Sequence, residues 1–372
     1  MAVMGLLMPV AGLIKVRYRG AKADIDSPFF KLHYRTSATF CFISCLLVTA
    51  NDLIGSTIDC ISGTIPGNVL NTYCWIMSTF SVPSKPGGVH GEDYAYQGVE
   101  PLGDPNDRVI HAYYQWVPFV LFFQGLLFYF PHWLWKTFED RKLDKITSGL
   151  RGRTLSLDER KDQCSILVKY VTETFHMHNF YAFKYFICDI LNFINVIVQI
   201  YMINAFLGGV FMAYGSDVLY WSESASETRT DPMIDVFPRI TKCNFYKYGP
   251  SGTIERHDAM CVLALNIINE KIYVFLWFWY IILAVMTSLY LLYVLAVVAV
   301  PSMRRVMVER NAKFDIKLNR DKALKQKEKM DILMRKAQMG DWFVIFLLSK
   351  NLDSILFKEF IVQLADKLKT DA

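Results

Sequence analysis

Of the 372 residues, 53% are hydrophobic, and the mean hydropathy is positive at +0.23. A water-soluble protein of this length would spread its apolar residues at helix or strand period over two or three domains; here they gather in blocks, which excludes that class. The net charge of +5 is small, and its placement along the chain follows a membrane topology, so it implies no nucleic-acid partner.

Residues 1–35 open with an uncharged apolar stretch, and Lys15, Arg17, Arg19 and Lys22 come after it. That is the reverse of secretory order, so no cleavable signal peptide is expected. Ala2 in place of glycine excludes N-myristoylation. Val3, Leu6, Leu7, Val10 and Ile14 recur at roughly helical spacing, interrupted by Pro9. A first crossing is expected at 36–54, where Asp52 is the only charge. Residues 55–111 form a loop with Asp59, Cys60 and Cys74, and 112–135 a second crossing, uncharged from 116 onward. After a loop at 136–180 comes a third crossing at 181–207, which contains Lys184 and Asp189. On it Cys188, Asn192, Asn195 and Gln199 recur three or four apart and share one face. Such a face is expected to hold helices together rather than to line a pore. A long loop, 208–272, leads to the fourth crossing at 273–300. From 274 to 300 it has 27 residues without one charge; at ~1.5 Å per residue they cover ~40 Å, enough for a ~30 Å hydrocarbon core. In the tail, 301–372, an amphipathic helix is predicted over 353–368, capped by Asp353 or Ser354. Its apolar stripe is Phe357, Phe360, Ile361, Leu364 and Leu368, and it is expected to pack with the 136–179 segment.

Charge sets the orientation. Lys and Arg outnumber Asp and Glu by 6 to 2 in 1–35, 9 to 7 in 136–179 and 16 to 10 in 301–372. The balance reverses in 55–108, 2 to 6, and in 208–270, 5 to 8. Basic flanks stay in the cytosol, which places both termini and the middle loop inside and the two acidic loops outside. Tyr113, Tyr114 and Trp116, with Trp133 and Trp135, mark the two interface depths of the second crossing. The basic run from Arg304 to Lys336 reads as a solvated helix face that anionic lipids could also contact.

Eight cysteines follow the same topology. Cys41, Cys45, Cys164 and Cys188 fall in crossings or the cytosolic loop, where thiols stay reduced. Cys60 and Cys74 fall in one outer loop, Cys243 and Cys261 in the other. An even number on the oxidising side fits disulfides, and four cysteines allow three connectivities among which spacing does not choose. No catalytic motif of the GxxxxGK[ST], HExxH or GxSxG kind occurs. His176 and His178 have no cysteines at zinc spacing, so neither a metal nor a cofactor is expected.

Several stretches carry a resemblance. Tyr113-Tyr114-Gln115-Trp116 at the head of the second crossing is similar to the signature of the innexins. Asn71-Thr72-Tyr73-Cys74-Trp75-Ile76, Asp231-Pro232-Met233, Thr241-Lys242-Cys243, Lys247-Tyr248-Gly249-Pro250-Ser251-Gly252, His257-Asp258 and Cys261 resemble the family's pattern as well. So do Asn269-Glu270-Lys271-Ile272-Tyr273 and Gly340-Asp341-Trp342-Phe343. The opening Met1-Ala2-Val3 resembles one insect subtype.

The resemblance implies an all-α, four-helix membrane subunit with disulfide-stapled outer loops and a helical cytosolic dome. It implies a plasma-membrane channel of eight copies, with itself or with other innexins, that docks with a ring on the adjacent cell and passes ions and small molecules. It also implies loop-to-loop disulfides, Cys60–Cys261 and Cys74–Cys243. The N-terminal segment, with Ala2, Val3, Leu6 and Val10, would fold into the pore mouth as a funnel; by periodicity alone a helix on the membrane surface is the alternative. Asp52 and Asp59 would form a ring of negative charge favouring cations, or pair with basic groups of a neighbouring subunit. An undocked hemichannel and a four-pass adhesion protein are the competing readings; cysteine pairs in both outer loops disfavour the second. No Asn-x-Ser/Thr sequon occurs, so no glycan obstructs docking.

Overall fold

The apolar blocks become long helices, and the outer segments between them become something else. The computed structural model describes residues 23–63, 65–82, 96–100, 108–150, 157–223, 231–312 and 320–370. Ala2, Val3, Leu6 and Val10 lie outside the described residues, as does the side chain of Asp52. In chain order come α1 (Pro28–Lys31), a π turn (Leu32–Ser37) and α2 (Ala38–Ile54), then β1 (Asp59–Ile61), α3 (Gly67–Met77), β2 (Thr79–Ser81) and β3 (Val109–His111). A 3-10 turn (Tyr113–Gln115) leads into α4 (Val117–Glu139), α5 (Lys142–Thr147), α6 (Leu157–Glu173) and α7 (Asn179–Phe206). There follow α8 (Phe211–Glu223), α9 (Pro232–Val236), β4 (Ile240–Tyr248), β5 (Ile254–Val262) and α10 (Asn266–Ala299). The tail holds α11 (Pro301–Ala312), α12 (Arg320–Lys336), α13 (Met339–Asn351) and α14 (Ser354–Thr370).

Among the described residues three helices, α4, α7 and α10, are long and apolar enough to cross a membrane. The expected first crossing is α2, 17 residues long, which the π turn and α1 prolong on its N-terminal side. Ser27 starts this run: its Oγ accepts from the Phe30 amide at 3.0 Å, with Pro28 as the first helical residue. At ~1.5 Å per residue the 34 residues of α10 reach ~51 Å, so the helix begins inside the segment expected as outer loop.

The all-α expectation needs a correction. Strands from both outer segments form one antiparallel sheet in the order β1-β5-β4-β2-β3. β4 and β5 pair along their whole length, from Ile240 opposite Val262 to Tyr248 opposite Ile254. Gly252, at φ +79°, lets the chain reverse between them, and its amide donates to the Gly249 carbonyl at 3.0 Å. On one shared face of the hairpin β4 buries Thr241 and Cys243, and β5 buries their partners Cys261 and Ala259. That period of two is masked in the sequence because the buried set mixes apolar and polar residues.

The chain divides into two compact units, 1–36 with 128–194 and 286–372, and 37–127 with 195–285. In the first, α14 buries Phe357, Phe360, Ile361 and Leu364 against α6 and α12, with Leu368 at the edge. α13 starts with a capping box between Gln338 and Asp341. The buried Asp341 carboxylate also accepts from the His176 amide at 2.9 Å and meets the Nδ1 atoms of His176 and His178 at 3.2 and 3.3 Å. Gly340 lets the two segments touch: a Cβ there would run into the backbone of His178 and Asn179. Gly340→Ala is expected to destabilise this unit by ~1–3 kcal/mol, read as a lower melting temperature of the detergent-solubilised protein; an unchanged melting curve would contradict the close approach.

Candidate functional site

The second unit holds the four outer cysteines. β1 places Cys60 directly opposite Cys261 of β5, and this pair lies at disulfide distance with its Cα atoms 4.0 Å apart. α3 carries Cys74 across the same buried face to Cys243 of β4, also at disulfide distance, with Cα atoms 5.9 Å apart. All four are buried in one cluster with Ile58, Leu70, Tyr114, Ala259 and Leu263. Cys60, Cys74 and Cys261 bring their sulfurs within 4.8 Å of one another, the spacing of a metal site. Sulfurs paired as cystine have no thiolate to offer a metal, so this geometry favours bridges over an ion.

Hydrogen bonds repeat the link between the loops. The Cys60 amide donates to Asn71 Oδ1 at 2.7 Å, setting α3 against β1. Gln97 Nε2 donates to Asp235 Oδ1 at 2.7 Å and its Oε1 accepts from the Asp231 amide at 3.1 Å. Burial raises the Asp235 carboxyl above its ordinary range, and the Gln97 amide opposes that shift. Lys242 Nζ donates to the Glu100 carbonyl at 2.8 Å.

The Tyr113-Tyr114-Gln115-Trp116 run sits where this module meets α4. Tyr114 is buried against Trp75, ring centroids 4.7 Å apart, and Tyr113 packs edge-on to Phe237 at 5.5 Å. Gln115 Nε2 donates to the Trp75 carbonyl, near the end of α3. Trp116 remains exposed and packs beside Phe119 of α4, ring centroids 5.9 Å apart. Tyr113, Tyr114 and Gln115 thus tie the start of α4 to the sheet module. Asp59, at the start of β1, accepts from Ser56 Oγ at 2.6 Å and Asn71 Nδ2 at 3.5 Å, and stays exposed.

Some roles escaped the sequence reading. Glu270 is fully buried at the start of α10 and takes two bonds from Arg239 Nη2, at 2.8 and 3.1 Å. Asn266 Nδ2 donates to the Pro238 carbonyl at 2.7 Å, so the base of β4 is tied to the helix at two points. An acid next to the longest apolar run is the signal that could have pointed there. The polar face of the third crossing is interior: Cys188, Asn192 and Gln199 are buried, and Gln199 Nε2 donates to the Gln124 carbonyl at 3.4 Å. Lys184 lies over the rings of Phe138 and Phe180 at 4.9 and 4.7 Å, and Asp189 accepts from the Tyr290 hydroxyl at 3.3 Å.

Long apolar helices joined to a cysteine-clasped outer module define a polytopic membrane protein. The family model described as Innexin matches residues 26–368. Innexin inx3 of Drosophila melanogaster is 46% identical over 372 aligned residues, covering 99% of this chain and 91% of that protein. Innexin inx2 of Schistocerca americana is 43% identical, covering 98% and 99%. Innexin shaking-B of Drosophila melanogaster is 39% identical, covering 96% and 92%. The chain belongs to the innexin family, whose members are gap-junction channel subunits.

Peptide mapping of the full-length protein under non-reducing conditions is expected to recover Cys60 linked to Cys261 and Cys74 linked to Cys243. A Cys60–Cys74 peptide would refute this clasp.

Proposed function

We propose that the chain crosses the plasma membrane four times with both termini in the cytosol, and that copies of it, alone or with other innexins, form a ring of eight around an aqueous pore. Two rings on adjacent cells dock through their outer modules and pass ions and small molecules. The observation that carries the docking is the far end of the β4–β5 hairpin. There Tyr248 and Ile254 stand opposite each other with 76% and 67% of their surface exposed. Large apolar side chains at the tip of a braced hairpin suit contact with a partner. Bridging of Cys60 to Cys261 and of Cys74 to Cys243 would keep that tip from yielding on contact.

The test separates docking from channel formation. Tyr248→Asp combined with Ile254→Lys is expected to abolish current between paired expressing cells, while single cells keep their hemichannel current and surface abundance. Persistent junctional current would exclude the hairpin tip from the docking surface. Junctional current absent already in the unsubstituted protein, with hemichannel current present, would favour an undocked channel that releases small molecules.

The N-terminal segment is proposed to fold into the pore mouth, where Ala2, Val3, Leu6 and Val10 from every copy narrow the path. Asp52 and Asp59 then supply negative charge near the outer mouth, favouring cations. Deleting residues 2–10 is expected to change unitary conductance or gating at normal surface delivery. Unchanged single-channel behaviour would favour a helix lying on the membrane and shift the pore wall to the first crossing.

A further inference from the structure

A cavity of about 200 Å³ lies within the unit that contains α1, α13 and the adjoining parts of α7 and α10. Its wall is aromatic and aliphatic, with Phe29, Phe186, Tyr293, Val294, Trp342 and Phe346. An engineered apolar cavity of ~150 Å³ stays dry and takes up benzene. By that measure the space here holds roughly eight carbons.

The polar groups on the lining are mostly engaged. Ser27 Oγ caps α1, and the Tyr290 hydroxyl donates to Asp189. Lys350 differs. Its ammonium lies 4.7 Å from the centre of the Phe346 ring, and among the described residues no carboxylate stands within ion-pair distance of it. The carboxylates of that neighbourhood are taken: Asp24 by Lys31 at 2.6 Å, Asp26 by Tyr34 at 2.9 Å and His132 at 3.6 Å. Desolvation lowers the Lys350 pKa, with Asp24 the first of the opposing charges, so an added anion would restore what the ammonium has lost.

We propose that this cavity binds an amphiphilic anion, with about eight carbons of its apolar part against the aromatic wall and its carboxylate or phosphate head on Lys350. A free fatty carboxylate supplies that chemistry, and so does an anionic phospholipid whose chain continues into the bilayer. Met307 and Trp342 belong to the tail, Ile25 precedes α1, and Tyr293 belongs to α10; all four line the cavity. An occupant would therefore bind the tail and the end of the N-terminal segment to a crossing. The orientation proposed above bears only on which leaflet would deliver the ligand; binding by the purified protein does not depend on docking or conduction.

The experiment uses the full-length oligomer in nanodiscs of phosphatidylcholine and three photoreactive probes with the same chain. One ends in a carboxylate, one in an alcohol, and one is the acyl chain of phosphatidic acid. The carboxylate or the phosphatidic acid probe is expected to label peptides containing Tyr293, Val294 or Phe346, in competition with unlabelled decanoate. Labelling by the first alone assigns a free carboxylate, and labelling by the second assigns a leaflet lipid. Lys350→Gln is expected to raise the half-saturating concentration about tenfold, and Val294→Trp to remove the labelling by filling the cavity. Val294→Leu serves if the tryptophan variant does not elute as the intact oligomer; it is expected to weaken the labelling. Equal labelling by the alcohol would overturn the anionic head. Labelling that ignores both substitutions, or that falls on other peptides, would be membrane contact only and would overturn the site.

Discussion

The sheet depends on one arrangement: the hairpin of β4 and β5 lies between strands of the earlier segment. In the sheet order β1-β5-β4-β2-β3, β1 flanks the hairpin on one side and β2 with β3 on the other. A two-stranded ribbon alone is marginal in water, and added strands with a buried face make it persist. Here that face is covered by α3 and filled by Leu70, Tyr114 and Leu263 around the four sulfurs. The sulfur pairs join positions 201 and 169 residues apart. Closing loops of that length would restrict a free unfolded chain strongly, although crossings that stay inserted already restrict it. Bridges at these two positions would therefore act chiefly on the sheet module, by forbidding its two segments to separate.

The same logic of obligatory partners runs through the helices. A polar group in an apolar surrounding stays only if something satisfies it. His33 Nε2 lies 2.9 Å from the Thr287 hydroxyl, and Asp189 accepts from Tyr290. Lys184 uses two aromatic rings instead of a carboxylate. Glu270 is neutralised by Arg239 and Lys271, at 2.8 and 3.2 Å. The contacts of His33 with Thr287, Asp189 with Tyr290, Lys184 with Phe138 and Glu270 with Arg239 join elements distant in sequence, so each fixes a helix against a neighbour.

That is also why some of the structure was legible in advance and some was not. Hydropathy reports what a residue avoids, and blocks such as 274–300 needed no partner to be recognised as crossings. The stripe of Phe357, Phe360, Ile361 and Leu364 was readable because helical period is a local property. β4 and β5 were not, since buried Thr241 and Cys243 alternate with Lys242 and Asn244 in a pattern whose buried face exists only once α3 covers it. His176 and His178 read only as an improbable metal site, for want of cysteines at zinc spacing, and their partner Asp341 was invisible because it is 163 residues away from the second of them. The partners of Lys184 and Asp189 were invisible for the same reason. The proposed pore mouth rests on the resemblance, since the period of Val3, Leu6 and Val10 fits a helix on the membrane surface equally and these residues lie outside the described ones.

The two units differ in how they are held. The unit with the sheet concentrates four of its six cysteines at disulfide distance, on the side where the proposed topology meets an oxidising medium, while Cys41 and Cys45 on α2 stay free. The other is held by packing, caps and the Asp341 cluster, and its cysteines remain thiols. Cys164, in the segment between α5 and α7, shows how inert such a thiol is: burial, aided by the charge of Glu359, pushes its pKa up to about 11. A cystine allows no gradual opening, whereas packed helices and hydrogen bonds open in steps of a few kcal/mol. In the orientation proposed above, conformational freedom is therefore expected where α13, α14 and the His176 segment meet rather than in the cysteine-linked sheet.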